Sequence, residues 1–339
     1  MSYREVTMKK QVCFAIMPLL IASSLSVAIA APEDNERLAI QQPIIEMVYK
    51  KQWSKLDKIF KEYNTGFPAT SNGTQKIVVA YGAIYETYGQ GGEDLEEIAQ
   101  EWLKANPDST AAVIVESMSY DGKATFVRGE GDASTVDDDA WPKYQKINEE
   151  KKAWLLKHKD VAAKEASWYQ DMILTARNLN DKALIMEMLE EGSNHFPDYQ
   201  NIYLQALEAL LPKWGGSPEE VEQVARIAVK KTADKYGKSY YAYLWYNALQ
   251  FQPEMMGLLY KHKLISWDDM KAGWHDRYKN YPGDHIANEY MATACLASDK
   301  AAYQEGSAWV KSHSGDHPRQ AWLSNMDYVK CDNYFESKK

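Results

Sequence analysis

The sequence predicts an all-α chain of stacked helix pairs, and three observations carry that prediction. Apolar residues recur at spacings of three and four in IIEMVYKKQW, KLDKIFKEY, LEEIAQEWLKA, ALIMEMLEEGSNHF, VEQVARIAVKKTA and AYQEGSAWVKSH, which places an apolar stripe on one face of each helix. Asn106-Pro107, Phe196-Pro197 and Tyr281-Pro282 each close such a segment, and a polar capping residue and a new helix follow. Gly283-Asp284-His285 returns as Gly315-Asp316-His317, 32 residues later. A period of roughly 34 residues built from two helices is that of tetratricopeptide arrays. One helix pair cannot cover its own apolar face, and stacked neighbours do so. The expected architecture is therefore a tetratricopeptide-like α-solenoid, coiled as a right-handed superhelix.

Residues 1–30 stand apart. Arg4, Lys9 and Lys10 precede the apolar run VCFAIMPLLIASSLSVAIA, which Ser23, Ser24 and Ser26 interrupt, and Ala28-Ile29-Ala30 ends it. This is the pattern of a secretory signal peptide cleaved after Ala30. It predicts a bacterial exported protein, periplasmic rather than secreted, with no membrane span in the mature chain.

Residues 31–127 read as an N-terminal helical block. Its most strand-like piece, AAVIV, follows Asn106-Pro107-Asp108-Ser109, a good helix start, and is expected to be a buried helix. Asn72-Gly73-Thr74 is expected in an ordinary surface loop. Residues 128–142, RGEGDASTVDDDAWP, lack helical periodicity until their end and form an acidic loop. Asp132, Asp137, Asp138 and Asp139 do not have the alternate spacing of a calcium loop. Residues 143–339 form a longer helical-repeat block, continuous with the first in one domain spanning 31–339. Asp198 and Asp284 are expected N-caps.

Within the second block, LLPKWGGSPEE is the most distinctive stretch. Ser217 is placed to cap a helix that Pro218 opens and Glu220 supports. Gly215 and Gly216 can turn the chain where a Cβ would hinder it, and Trp214 supplies an apolar body to cover the junction. The same four residues, Trp214, Gly215, Gly216 and Ser217, could be read as an anion nest. That reading needs a longer glycine loop or a better-placed cation than Lys213, so they are assigned to a structural turn.

This stretch resembles the Pro-(Arg/Lys)-Trp-Gly-Gly-Ser signature of the domain-of-unknown-function family 4034. Trp102, Pro107, Ser109 and Ala111 resemble the family's Trp…Pro-x-Ser…Ala segment, and Arg128-Gly129 resembles its Arg-Gly pair. Phe196-Pro197-Asp198-Tyr199 and NEYMATACLASDK also fit, so the resemblance runs from about Leu56 to Lys300. It implies a helical, tetratricopeptide-like protein and no particular reaction.

Composition and motifs narrow the function further. A formal charge of −9 offers no basic surface for nucleic acid. No G-x-S-x-G, H-E-x-x-H, Walker or dinucleotide-binding motif occurs, and nothing calls for a cofactor or a metal. His313 and His317 have zinc-like spacing, but Ser314-Gly315 and Pro318 place them across a turn. His275 beside Asp276 lacks a third catalytic group.

The run SYYAYLWYNALQF carries aromatics on two helix faces. It is either packed on both sides or lines a groove in which Tyr240 and Tyr243, with Trp274 nearby, make exposed contacts with a peptide or glycan. Cys295 and Cys331, the only cysteines after residue 30, are expected to form a disulfide in an oxidising compartment. Cys295 lies ten residues after His285 and Cys331 fourteen after His317, so a one-turn offset between equivalent helices of adjacent repeats would bring them together.

Two functions follow from these readings. The first is a non-enzymatic module that binds an envelope protein or an extended peptide. The second is an enzyme acting on cell-wall material through carboxylates such as Glu116 or Glu208.

Overall fold

The computed structural model describes residues 32–129, 131–259, 264–324 and 326–337; the expected signal peptide and cleavage site lie outside them. The chain is an all-α helical-repeat protein. In order, the helices are α1 (Pro32–Tyr49), α2 (Trp53–Asn64), α3 (Lys76–Tyr88), α4 (Glu93–Ala105), α5 (Thr110–Arg128), α6 (Ala140–Lys157), α7 (Lys159–Ala162) and α8 (Ala166–Asn178). Then come α9 (Lys182–His195), α10 (Gln200–Ala209), α11 (Pro218–Tyr236), α12 (Ser239–Phe251), α13 (Trp267–Asn280), α14 (Asp284–Leu296), α15 (Lys300–Lys311) and α16 (Tyr328–Glu336). Among the described residues the only β contact is an isolated bridge between Ala69 and Gln75.

Two rows organise the second half of the chain. α8 packs on α10 and α10 on α12; outside them, α9 packs on α11 and α11 on α13. The inner helices are buried nearly all round. On α12, only Tyr243, Asn247, Gln250 and Phe251 escape full burial. The outer helices are amphipathic, with Val221, Val224, Ala225, Ala228 and Thr232 as the buried face of α11. α5 belongs with the inner helices, since Ala111 through Ser119 are all buried. AAVIV is thus the core of a helix, and Ser109 starts it by accepting from the Ala112 amide at 3.0 Å.

Asp57 gathers the residues of the Trp…Pro-x-Ser segment. Its carboxylate accepts from the Trp102 indole at 3.0 Å, from the Asn106 amide and from the Ser109 hydroxyl. That segment therefore fixes the α4–α5 corner to α2.

The Trp-Gly-Gly-Ser stretch is a turn between α10 and α11. Ser217 Oγ accepts from the Glu220 amide at 3.2 Å, and Pro218 opens α11. Gly215 has φ +83°, and a Cβ on Gly216 would lie 1.8 Å from the Leu210 carbonyl oxygen. Trp214 does not cover the junction as expected. Its ring is 40% exposed, because the short 3-10 turn Pro212–Trp214 carries it outward.

Four other expectations are corrected. Asp198 does not cap α10; it pairs with Lys235 at 2.7 Å while Tyr199 takes the cap position. Asp284 is the first residue of α14, and its carboxylate accepts from the Ser314 amide and hydroxyl instead. No helix follows the second Gly-Asp-His directly: Pro318 leads into a 3-10 turn, Arg319–Ala321, and α16 begins only at Tyr328. Asn72-Gly73-Thr74 is not a free loop. Gly73 is buried, its carbonyl accepts from Gln200 at 3.3 Å, and a Cβ there would meet the Tyr281 ring at 2.9 Å.

Cys295 on α14 and Cys331 on α16 form a disulfide, with Cα atoms 6.0 Å apart. α16 reaches α14 by packing back across it rather than as the second half of a further repeat. Alkylation without reductant should leave both thiols unmodified. Reduction should lower the unfolding free energy by up to roughly 4 kcal/mol, the chain-entropy value for a 36-residue loop. Two freely alkylated cysteines in protein never exposed to reductant would contradict the bridge.

Candidate functional site

Three helices turn one face each towards a common cavity. On α5, Ile114, Met118, Asp121, Thr125 and Arg128 follow steps of three and four. On α8, Ser167, Asp171, Leu174 and Arg177 do the same, as do Val78, Tyr81 or Gly82, and Tyr85 on α3. Such spacing aligns side chains on one side of a helix. Tyr144 of α6, Tyr199 and Trp214 complete the walls of a cavity of about 490 Å³, within the range of small-molecule sites.

Beneath the cavity Lys151 is fully buried. Its ammonium donates to Asp121 Oδ2 at 2.6 Å. Burial pulls the Lys151 pKa down, but Asp121 and then Asp171 reverse this, and the net shift is upward. Asp171 accepts from the Ser117 hydroxyl. Burial pushes its carboxyl up to about 6; Lys151 opposes that shift and Asp121 adds to it. The ammonium thus pairs with Asp121 and acts on Asp171 only through its charge.

The arginines form a second charged group. Arg177 donates to Glu208 at 2.9 Å and to the side-chain Oδ1 of Asn178 at 3.2 and 3.1 Å, and its guanidinium carbon lies 4.8 Å from the Trp214 ring centre. Arg128 bonds the carbonyls of Gly129 and Gly131 at 3.0 and 3.1 Å and lies 5.7 Å from the Trp141 ring. Tyr144 senses both guanidiniums: burial raises its pKa, Arg177 and Arg128 lower it, and Asp121 raises it. The wall tyrosines are held by hydrogen bonds. Tyr81 donates to Glu165 at 2.8 Å and Tyr199 to Gln170 at 2.6 Å.

A family profile described as Domain of unknown function (DUF4034) matches residues 40–206. Residues 40–206 belong to the DUF4034 family. No curated protein matches the chain. Every cavity-lining residue except Trp214 falls inside the matched range. The matched range stops short of Pro212, so the Trp-Gly-Gly-Ser turn adds its ring to the DUF4034 segment from outside.

The aromatics that the sequence suggested as exposed contacts lie elsewhere. Tyr240 and Trp274 are 1% and 0% exposed, and Tyr243 is partly buried with the Arg277 guanidinium 4.3 Å from its ring centre. They are not exposed contacts, because α12 is covered by α10, α11 and α13. His313 and His317 do not converge: His313 meets the Tyr278 hydroxyl at 3.2 Å and His317 meets Asn288 at 2.6 Å. His275 contacts Glu305 at 3.1 Å. Among the described residues no three His, Cys, Asp or Glu side chains are placed to hold a metal.

Of the two acids named from sequence, Glu208 borders the cavity through its pair with Arg177, whereas Glu116 lies on another side of α5. Burial and then Glu96 push the Glu116 carboxyl up to about 7, with Lys123 opposing. Its Oε2 is buried without a hydrogen-bond partner. Asp171, Lys151 and Arg177 were not singled out from sequence, although the polar residues at helical spacing within apolar faces marked their helices.

Glu116 holds its proton in the folded state up to about pH 7, above its unfolded value of 4.5, so its ionisation removes stability as pH rises through that window. Glu116→Gln should therefore gain stability relative to wild type between pH 4.5 and 7 and keep a constant advantage above it, read from melting curves. A gap independent of pH would refute this. Trp214→Ala should cost only roughly 1 kcal/mol, the scale of an exposed cation–π contact. A loss of roughly 3–5 kcal/mol would instead place the ring in the core.

Proposed function

We propose that this DUF4034-containing protein is an exported, non-enzymatic binding module of the cell envelope, and that its ligand enters the cavity between α3, α5 and α8. One observation carries the reading: side chains from three helices converge on a preformed cavity, and three of the four charged ones are already held by partners outside it. Asp121 is engaged by Lys151, Asp171 by Ser117, and Arg177 by Glu208. Such preorganisation lowers the cost of binding. Export is supported by the signal pattern of residues 1–30 and by a disulfide, which oxidising compartments permit. No helix among the described residues is long and apolar enough to cross a membrane. The partner is an envelope protein or an extended peptide.

An enzyme of cell-wall material is the second reading, and one observation favours it. Asp121 and Asp171 are two carboxylates in one aromatic-walled cavity, and a carboxyl held near 6 is suited to proton transfer. The buried ammonium counts against it, because it holds Asp121 as an ion pair rather than leaving it free to accept a proton.

The two readings separate in paired assays on protein from the native envelope. Its first residue should be Ala31 by mass spectrometry. It should capture a partner that Arg177→Ala fails to capture, and it should leave purified peptidoglycan unchanged. Turnover of peptidoglycan that Asp171→Asn abolishes, without any stable partner, would reverse the assignment.

A further inference from the structure

The cavity is electrically dipolar along its helices, and three helices agree on the direction. On α5, Arg128 follows Asp121 by seven residues; on α8, Arg177 follows Asp171 by six. At about 1.5 Å per residue the two ends lie roughly 9–10.5 Å apart along the axes. α6 bridges the same poles from the other direction, with Lys151 at the carboxylate end and Tyr144 at the arginine end.

The formal charges at each pole are unequal. The carboxylate pole holds Asp121 and Asp171 with Lys151, which leaves one negative charge in excess. The arginine pole holds Arg128 and Arg177 against Glu208, which leaves one positive charge in excess. Arg128 is bound by two backbone carbonyls and an aromatic face, and among the described residues it pairs with no carboxylate. A ligand carrying one charge of either sign would satisfy one pole and leave the other unmatched in a partly desolvated site, where mismatched charge is expensive.

We propose that the cavity takes a zwitterionic amino acid or dipeptide, with its ammonium against Asp121 and Asp171 and its carboxylate against Arg128 and Arg177. Size agrees with charge. One or two extended residues at roughly 3.5 Å each, with a hydrogen bond of about 2.9 Å at either end, span roughly 9–13 Å. The tyrosine and tryptophan walls then face the ligand's side chains, where flat aromatic surfaces accept varied groups at little entropic cost. Guanidinium forks match a carboxylate in two parallel bonds, which an isosteric amide cannot reproduce.

This assignment rests on the binding function proposed above but replaces the protein or extended-peptide partner with a short free ligand, both of whose ends lie in the cavity, and the test separates the two. The full chain is titrated calorimetrically with phenylalanine, lysine, Ala-Ala, Ala-Phe and Ala-Lys. Each is compared with its N-acetyl and its C-terminal amide form. At least one free zwitterion should bind saturably, and both acetylation and amidation should weaken it tenfold or more. Asp171→Asn should erase the discrimination against the acetylated form, and Arg128→Gln that against the amide. Because the chemistry is varied on the ligand as well as on the protein, a variant that fails to fold leaves the result readable. Equal binding of the capped forms would overturn the zwitterion while leaving the cavity as a binding site. No saturable binding from any of the five free compounds would overturn the proposal, and an Arg177-dependent partner capture would then show that the binding reading survives it.

Discussion

Helices without a solvent face impose the main constraint on this molecule. α5, α8, α12 and α14 are buried nearly all round, so each needs neighbours on every side and every polar group it carries needs an internal partner. The stacking of α8, α10 and α12 answers the first demand and the outer row of α9, α11 and α13 completes it. The second demand produces the internal polar links. Tyr81 reaches Glu165, Tyr199 reaches Gln170, and Tyr241 and Trp245 both reach Glu222. Each link joins separate segments of the chain, so satisfying the buried polar groups also fixes how the helices sit against one another.

Lys151 is the most demanding of these groups. A fully buried ammonium is costly unless paired; its ion-pair partner is Asp121 on α5, and the charge of Asp171 on α8 acts on it from further away. Removing it would leave two carboxylates facing each other in the same enclosure, a loss on the scale of roughly 3–5 kcal/mol. The group that anchors α6 to α5 and α8 is thus the group that sets the charge beneath the cavity. Stability and site chemistry cannot be varied separately here, since neutralising either carboxylate changes both the packing of three helices and the carboxylate end of the cavity.

The sequence announced the fold more clearly than the site for a physical reason. Helical periodicity, proline punctuation and the Ser217-Pro218 helix start are local signals. The α10–α11 turn behaves as those signals require, down to the close approach of Gly216 to the Leu210 carbonyl. The cavity depends on contacts between residues tens of positions apart, such as Asp121 with Lys151 and Ser117 with Asp171, and no local pattern encodes these. The misreading of Tyr240 and Trp274 has the same origin. An aromatic-rich helix looks alike whether its faces meet solvent or neighbours, and the inner-row position that decides between them is a tertiary fact. The Gly-Asp-His recurrence misled in the opposite way. Its first copy opens α14, but Pro318 after the second leads only into a 3-10 turn.

The Trp-Gly-Gly-Ser turn shows how one motif can be structural in its backbone and functional in its side chain. The glycines are dictated by the reversal between α10 and α11. Nothing in that reversal requires a tryptophan, and a ring left 40% exposed contributes little to the core. Its place over Arg177 matters more, because Glu208, on the helix that the turn ends, pairs with the same guanidinium. The turn thus fixes Arg177 from two directions, by an ion pair from α10 and by an aromatic face from the loop, although it lies beyond the DUF4034 match. A guanidinium so restrained presents its remaining N–H groups at a set angle. The segment after the DUF4034 match accordingly acts on the cavity through the orientation of one arginine.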